Sequence, residues 1–188
     1  MAIEIQASRE IPGLRLVRPD VFEDHRGRYV ETWNVRDYRF LDLEGEEIVF
    51  VEDDISRSHA GVLRGLHGDG ETWKLVQCLL GEIVLVVVDM RPDSPAFRRW
   101  LRFDLSAANR LQVLIPAGCA NGHLALSDCL FSYKQSRHYG GAERQFTVRW
   151  NDPGLGIPWP VDRPILSERD ASAPDLPPVP AGRLGGAT

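Results

Sequence analysis

The chain has 188 residues, which suits a single domain that buries its own hydrophobic core. Its apolar content of 43%, charged content of 26% and net charge of −5 are those of an ordinary globular protein, and they exclude a strongly basic surface that would attract nucleic acid. No run reaches the ~18 apolar residues of a membrane span, and no apolar signal core opens the sequence. The three cysteines lack CxxC spacing. We therefore expect a cytoplasmic domain with reduced thiols.

Short apolar segments rich in β-branched and aromatic residues recur along the chain. In chain order they are GLRLVRP, EIVFVED, KLVQCLL, EIVLVVVD, RRWLRFDL, RLQVLIP, GHLALSD, CLFSYKQS and QFTVRW. They follow one another at roughly 8–15 residues with turn sequences such as RPDSP and NDPG between them, which is typical of an all-β sandwich or barrel. Helix is a minority: Val35–Leu43 is the best helical candidate, and Ser106–Arg110 suggests a single turn capped by Ser106.

The segment EIVLVVVD, Glu82–Asp89, has lost the strict alternation of apolar and polar residues. Both faces of this strand are therefore predicted to be apolar, which places it inside a two-layer structure or at a subunit interface. Because the chain is small and rich in strands, we expect a homodimer that shares strands across its interface.

The C-terminal segment from Ala171 is rich in Pro, Ala and Gly. Such a composition favours a loosely ordered tail, which we expect from about residue 176. No internal repeat divides the chain, so a single domain is expected over residues 1–188.

His67 lies in the crowded stretch RGLHGDGETWK, directly ahead of a strongly apolar segment. A histidine titrates near neutral pH and is a natural proton-transfer group, although an isolated histidine more often hydrogen-bonds a turn. Its neighbours Arg64 and Lys74, with Tyr133 and Asp170 further along the chain, favour the functional alternative.

A metal site is the competing interpretation of His67. Small β-barrels often hold a metal through an HxH pair, whose imidazoles share one face of a strand, with a carboxylate and a third histidine. This chain offers His67, Glu71 and His123 but no HxH, and the residue two before His123 is Asn121, a poor ligand for a transition metal. We therefore expect no bound metal.

Tyr133 lies in the predicted strand FSYKQ. Strand alternation places Phe131, Tyr133 and Gln135 on one face, and Ser132 and Lys134 on the other. An inward phenol is a candidate proton donor, and the alternative is a core tyrosine whose hydroxyl is hydrogen-bonded.

Four basic residues are candidates for a local anion site. They are Arg26, Arg57, Arg64 and Lys74. The planar guanidinium suits phosphate oxygens, whereas scattered basic residues are usually solvated surface.

Several blocks occur in order from about Leu14 to about Asp175. They are FEDHRGRYVETW, GVLRGLH, KLVQCLLGEIVLVVVDMRPDSPAFRRW, LIPAGCANGHLALSD, FSYK, RWNDPGLGIPWP and PILSERDASAP. Together they resemble the dTDP-4-dehydrorhamnose 3,5-epimerase family, and ordered blocks at matching separations are far more specific than one short motif.

The resemblance implies a cupin-type jelly-roll β-barrel with a few short helices, usually dimeric, that works without a metal or cofactor. Its substrate would be a nucleoside-diphospho-4-keto sugar, epimerised at C3, C5 or both in deoxysugar or heptose biosynthesis for surface polysaccharide. By the same resemblance, His67 matches the base, Asp170 its supporting carboxylate, Tyr133 the proton donor and Lys74 the residue that stabilises the enolate oxygen. Such a base and such charge stabilisation are what abstraction of a proton alpha to a ketone requires.

The resemblance also implies nucleotide and phosphate contacts. They match Arg26, Tyr29, Glu31, Arg57 and Arg64, with Glu52 standing where many relatives carry glutamine. A carboxylate accepts hydrogen bonds, so Glu52 could favour the N–H groups of guanine, and the alternative is an exposed edge residue beside Asp53 and Asp54.

Two departures from the family pattern affect the substrate. Where many relatives carry a histidine this chain has Asn121, and His123 follows two positions later, on the same strand face. The stretch GDGETW also differs from the usual segment before the lysine. With these two changes the sequence resembles the epimerases that act on GDP-linked 4-keto heptoses. The hypothesis is therefore that the substrate is a GDP-linked 4-keto heptose.

Three alternatives to a 3,5-epimerase remain open from the sequence. A 3-epimerase or a 3,4-ketoisomerase would use the same scaffold with other proton transfers. A sugar-nucleotide-binding barrel without catalysis belongs to a different class, and only the enzymes would exchange substrate protons with solvent.

Overall fold

The computed structural model describes residues 3–178, and almost all of its regular structure is β-strand. The strands are β1 Glu4–Ala7, β2 Arg15–Arg18, β3 Val21–Asp24, β4 Gly27–Val30, β5 Glu52–Ser58, β6 Leu63–Gly68, β7 Lys74–Leu80, β8 Glu82–Asp89, β9 Trp100–Ser106, β10 Gln112–Ile115, β11 Cys119–Ala125, β12 Cys129–Gln135 and β13 Phe146–Thr147. A short 3-10 helix spans Ala142–Arg144, and a single turn of α-helix, α1, spans Glu168–Ala171. The prediction of an all-β fold is confirmed.

Two antiparallel sheets and one hairpin make up the fold. The six-stranded sheet has the order β1-β2-β10-β7-β12-β5, and the five-stranded sheet has the order β13-β6-β11-β8-β9. Strands β3 and β4 form a separate hairpin. Strand β5 therefore lies at an edge of the larger sheet.

The main core lies between the two sheets. Val76 and Val113 of the larger sheet pack there with Leu85 and Val87 of the smaller one. Alternate residues of β8 belong instead to a second cluster, where Val84, Val86 and Val88 pack with residues of the C-terminal segment. Both faces of β8 are therefore buried, which confirms the prediction from its continuous apolar sequence.

The predicted helix at Val35–Leu43 is wrong. This stretch consists of a turn and extended backbone, with an isolated bridge from Leu41 to Glu47. Tyr38 and Phe40 are buried, whereas Arg39 and Leu41 are exposed, so burial repeats every second residue rather than with the helical period. The aromatic pair covers the outer face of the six-stranded sheet beside Trp73 and Leu75.

The predicted turn at Ser106–Arg110 is confirmed. The Ser106 hydroxyl accepts a hydrogen bond from the Asn109 N–H at 3.0 Å, as a capping residue should. The proline- and glycine-rich tail lies from residue 179 outside the described residues. Its first residues are anchored, since the Leu176 N–H donates to Asp152 and the Pro177 carbonyl accepts from Arg98. Over residues 3–178, no helix is long and apolar enough to cross a membrane.

Candidate active site

A cavity of about 640 Å³ opens beside strands β6, β7, β11 and β12. The segment that leads into α1, from Ile165 to Asp170, closes one side of it. The four residues with proposed catalytic roles all line this cavity: His67, Lys74, Tyr133 and Asp170. The structure therefore brings together side chains that are up to 103 residues apart in sequence.

His67 and Asp170 form a tight pair at the cavity wall. The distance from His67 Nε2 to Asp170 Oδ1 is 2.6 Å, and Asp170 is only 3% exposed. Burial by itself would raise the pKa of Asp170, but the hydrogen bond and charge of His67, with help from Ser167 and the Gly65 N–H, hold that pKa below its ordinary value. The carboxylate is therefore charged at neutral pH and fixes the imidazole in one orientation.

Asp170 is positioned by the start of α1. Ser167 caps this helical turn, and its hydroxyl accepts a hydrogen bond from the Asp170 N–H at 3.1 Å. The cap satisfies a backbone N–H donor in the first turn of the helix. It also fixes the backbone at Asp170 and therefore the direction of its side chain.

Lys74 begins β7 and is buried in the cavity wall. Burial lowers its pKa; the charge of Asp69 acts in the opposite direction, and that of Arg169 acts with burial. A buried ammonium is poorly solvated, so it interacts strongly with negative charge that develops on a bound ligand.

Tyr133 faces the cavity from β12. Phe131, Tyr133 and Gln135 all line it, which confirms the side assignment from strand alternation, and Lys134 points the other way to Asp53 and the Trp33 ring. Burial, and then the charge of Asp54, raises the pKa of Tyr133. The phenol therefore keeps its proton at neutral pH and is able to donate it.

Asn121 and His123 also face the cavity, from β11. Asn121 lies opposite His67 in the β6–β11 pairing, and His123 lies opposite Arg64. The His123 ring is 3% exposed and stacks on Phe131, with ring centroids 4.3 Å apart. Burial, and then the charge of Arg64, lowers the pKa of His123 to about 3, so this imidazole is neutral.

Two guanidinium groups line the cavity and are held by uncharged acceptors. Arg64 donates from Nε to the Ser58 hydroxyl at 2.9 Å. Arg169 donates to the Thr147 hydroxyl at 2.8 Å and to the Gln145 side-chain oxygen at 3.2 Å. Their charges remain available to an anionic ligand such as a phosphate group.

Sequence reasoning missed several residues that line the cavity, among them Tyr139, Gln145 and Arg169. Arg169 directly precedes Asp170, so its proximity to the pair was available from the SERD motif. Nothing in the local sequence distinguishes Gln145 or Tyr139 from surface residues, because both reach the cavity from irregular segments.

The remaining predicted contacts do not line the cavity of the single chain. Arg26 and Tyr29 belong to the exposed β3–β4 hairpin, where Arg26 pairs with Asp24 at 2.7 Å and Tyr29 is 62% exposed. Glu31 follows that hairpin and accepts a hydrogen bond from Asn34. Arg57 is exposed on β5 and lies 3.7 Å from Asp128.

Glu52 has partners within the chain. Its carboxylate accepts hydrogen bonds from the Tyr139 N–H at 3.1 Å and from Gln135 Nε2 at 2.9 Å. The hydrogen bond from the Tyr139 N–H contributes most to holding the pKa of Glu52 below its ordinary value. Glu52 therefore anchors the segment that carries Tyr139 to the rim of the cavity.

No group of three or more His, Cys, Asp or Glu side chains in the described part of the chain is arranged to hold a metal ion. His67 and His123 line the cavity, whereas Glu71, the third member of the metal alternative, is not among the lining residues.

Comparisons with known proteins identify relatives of this chain. The family model described as dTDP-4-dehydrorhamnose 3,5-epimerase matches residues 8–177. The dTDP-4-dehydrorhamnose 3,5-epimerase of Salmonella typhimurium is 41% identical over 171 residues, covering 88% of this chain and 92% of that protein.

Solved structures of the same family superpose closely. The enzyme from Bacillus anthracis, crystallised with TDP and pyrophosphate, gives a TM-score of 0.84 at 38% identity, covering 93% of this chain and 100% of that one. The enzyme from Legionella pneumophila, solved in complex with dTDP-4-keto-L-rhamnose, gives a TM-score of 0.82 at 38% identity, with 91% of each chain covered.

Proposed function

The chain belongs to the dTDP-4-dehydrorhamnose 3,5-epimerase family, and from that membership we propose how its cavity epimerises a nucleoside-diphospho-4-keto sugar. The family likeness supports a cupin-type jelly-roll isomerase that inverts C3, C5 or both through an enolate. The observation that carries the assignment of residues is the 2.6 Å His67–Asp170 pair, in one cavity with Lys74 and Tyr133.

His67 is the base. Its Nε2 faces Asp170, which leaves Nδ1 to accept the proton from the carbon next to the ketone. The imidazolium that forms is stabilised by the adjacent carboxylate, whose charge is kept by the lowered pKa of Asp170. Asp170 is thus a positioning and charge-stabilising residue for the base.

Lys74 and Tyr133 complete the reaction. When the proton leaves, negative charge accumulates on the C4 oxygen, and the buried ammonium of Lys74 stabilises that enolate. Tyr133 then returns a proton to the opposite face of the same carbon, so its configuration inverts. The ketone is already present in the substrate, so the steps described here transfer only protons.

The phosphate groups are held by the arginines of the cavity wall. Arg64 and Arg169 present guanidinium donors that are fixed by neutral oxygens, a state suited to binding a diphosphate. Arg57 lies beside Arg64, whose Nη2 donates to the Arg57 carbonyl at 3.1 Å, so its side chain is near enough to join them if it turns toward the ligand.

The active form is a homodimer. Strand β5 is an edge strand, and Ile55 on it is 63% exposed, with Val51 just before it 46% exposed. An exposed apolar edge of this kind supports pairing with a second copy. Arg26 and Tyr29 would then contact substrate from the hairpin of the partner, since neither lines the cavity of its own chain.

Deuterium exchange tests the function. A 4-keto sugar nucleotide is incubated with the protein in D2O, and incorporation at C3 and C5 is followed by NMR. We expect exchange at both carbons, and exchange at C3 alone would identify a single epimerase. Absence of exchange with dTDP-, CDP- and GDP-linked substrates would contradict the enzyme assignment.

The same assay tests the base and the nucleotide. His67→Asn should abolish exchange at every carbon, and exchange at the wild-type rate would show that another residue is the base. The GDP-heptose hypothesis predicts faster exchange on a GDP-linked 4-keto heptose than on the dTDP-linked hexose, and it fails if only the dTDP-linked hexose reacts.

A further inference from the structure

Two buried polar atoms on β11 face the cavity without hydrogen-bond partners, in addition to Arg169 Nη2 on α1. They are Asn121 Oδ1 and His123 Nε2, for which no acceptor or donor is present among residues 3–178. Buried polar groups are nearly always hydrogen-bonded, so each unpaired one calls for an explanation. Both residues line the cavity with His67, which points to a ligand as the missing partner.

The backbone explains why both side chains face the ligand. Gly122, between them, lies against β6, where an added Cβ would be 2.8 Å from the Arg64 carbonyl oxygen and 3.2 Å from Gly65 Cα. Side chains at 121 and 123 therefore occupy the opposite face of β11, toward the cavity. Stacking on Phe131 fixes the plane of the His123 ring.

The chemistry of the two atoms limits what can pair with them. An amide oxygen only accepts hydrogen bonds, so the partner of Asn121 Oδ1 must be a donor. His123 is a neutral imidazole, which is suited to an uncharged polar group rather than to a phosphate. A hydroxyl both donates and accepts, so one hydroxyl or two adjacent ones would satisfy both residues.

We propose that Asn121 and His123 form a hydroxyl-binding subsite, so that the enzyme selects a 4-keto sugar that carries a hydroxyl beside its reacting carbons. The subsite deepens the proposed function and rests on it, because Asn121 pairs with His67 across β6 and β11 and therefore lies at the reacting end of the sugar. A sugar with hydrogen or methyl at that position would leave both polar groups unpaired, and sites of this kind strongly reject analogues that lack the hydroxyl.

Binding of unreactive sugar nucleotides tests the subsite. Probes without a 4-ketone are not epimerised, so we compare dTDP-glucose, dTDP-6-deoxyglucose and dTDP-2-deoxyglucose by calorimetry, with the GDP-linked set in parallel. We expect the intact protein to bind at least one deoxy probe at least ~10-fold more weakly than the glucose probe with the same nucleotide. The deoxy probe that loses affinity identifies the hydroxyl.

Substitutions connect this selectivity to the two residues. His123→Phe keeps an aromatic ring against Phe131 and removes both nitrogens, and it should reduce the selectivity to less than about 2-fold. Asn121→Ala, a second and independent variant, should reduce the same ratio. His59→Phe makes the same exchange at an exposed position outside the cavity and should leave it unchanged.

The proposal is overturned if the intact protein binds all probes of a set within about 2-fold, or if neither His123→Phe nor Asn121→Ala reduces the ratio. Deuterium exchange separates this failure from failure of the proposed function. Exchange that proceeds without hydroxyl selectivity would remove only the subsite, whereas absence of both exchange and probe binding would remove the function and the subsite with it.

Discussion

Lys74 combines a functional charge with an environment that disfavours it. Its side chain is buried, and burial lowers the pKa of its ammonium, so the charged form lowers the stability of the folded chain. Between the folded and the unfolded pKa values, the unfolded chain binds more protons, and stability rises with pH. The cost is fully present below the lowered pKa of Lys74 and disappears as pH rises toward the ordinary value for lysine.

We predict that Lys74→Met separates stability from activity. The rate of deuterium exchange should fall by at least ~100-fold in this variant. Without a positive charge to stabilise the enolate, the activation barrier to proton removal is high. The variant should also melt at a higher temperature at pH 7, by about 2–4 °C for each kcal/mol gained. Calorimetric scans from pH 7 to pH 10 measure the difference in melting temperature between the variant and the intact protein, which should shrink as pH rises. A variant that melts at a lower temperature than the intact protein at pH 7 would contradict the prediction.

Tyr133 is predicted to act after the proton has been removed. Tyr133→Phe should therefore retain exchange at a rate near that of the intact protein while product formation falls by at least ~100-fold. NMR follows deuterium incorporation and the inverted sugar in one sample. Tyr38→Phe, which removes a buried hydroxyl bonded to the Glu31 carbonyl outside the cavity, is the matched control. Product formation at the intact rate in Tyr133→Phe would assign the acid elsewhere.

Strands β6 and β11 approach each other closely because glycines face each other there. Gly65 has φ of 117°, and a Cβ on it would lie 2.6 Å from Gly122 Cα. This approach aligns His67 on one strand with Asn121 on the other. The two glycines therefore allow the close approach of the strands at the reacting end of the cavity.

Gly122→Ala should disturb this close approach. Its methyl group would collide with the Arg64 carbonyl, and overpacking of this kind costs about 1–3 kcal/mol. Urea unfolding measures the loss, and exchange should fall with it because Asn121 and His67 are displaced. Gly70→Ala is the matched control, since nothing lies within 4 Å of its added Cβ. Equal stability of both variants would contradict the role given to Gly122.

The strands that the sequence predicted well are those whose burial pattern is unambiguous. Segments KLVQCLL and EIVLVVVD coincide with β7 and β8, because continuous β-branched residues between turn signals fit only buried strands. The helix predicted over Val35–Leu43 is wrong because the burial of Tyr38 and Phe40 depends on their packing against Trp73. That contact is between distant parts of the chain, and no local sequence pattern reveals it. QFTVRW yields only the two-residue β13, although Val148 directly after it still exchanges backbone hydrogen bonds with Leu66 of β6.

The candidate site shows the same division. Strand alternation alone placed Tyr133 with Phe131 and Gln135, because that rule is local. The contact between His67 and Asp170 spans 103 residues, and only the family resemblance linked them in advance. The hydrogen bond between Arg169 in α1 and Gln145 in an irregular segment spans 24 residues, and no local pattern predicts it.

At the scale of the whole molecule, several exposed apolar residues lie on and beside one edge of the larger sheet. Val49 is 62% exposed, Ile55 is 63% exposed, and β5 has no strand neighbour on its outer side within the described residues. Native proteins usually protect such an edge. A second copy of the chain would protect it and would also bring the β3–β4 hairpin to the neighbouring cavity.

Ile55→Asp is expected to convert the proposed dimer into a monomer. A charge at a buried interface is strongly destabilising when unpaired, so sedimentation at micromolar concentration should show the mass of one chain. The monomer should keep the His67–Asp170 pair, because β6 and α1 belong to the same chain, but bind the sugar nucleotide at least ~10-fold more weakly without the partner's hairpin. Leu126→Asp, at an exposed turn after β11, should remain dimeric and bind normally. A wild-type protein that sediments as a monomer, or an Ile55→Asp dimer with unchanged affinity, would show that the β5 edge is not where the two copies meet.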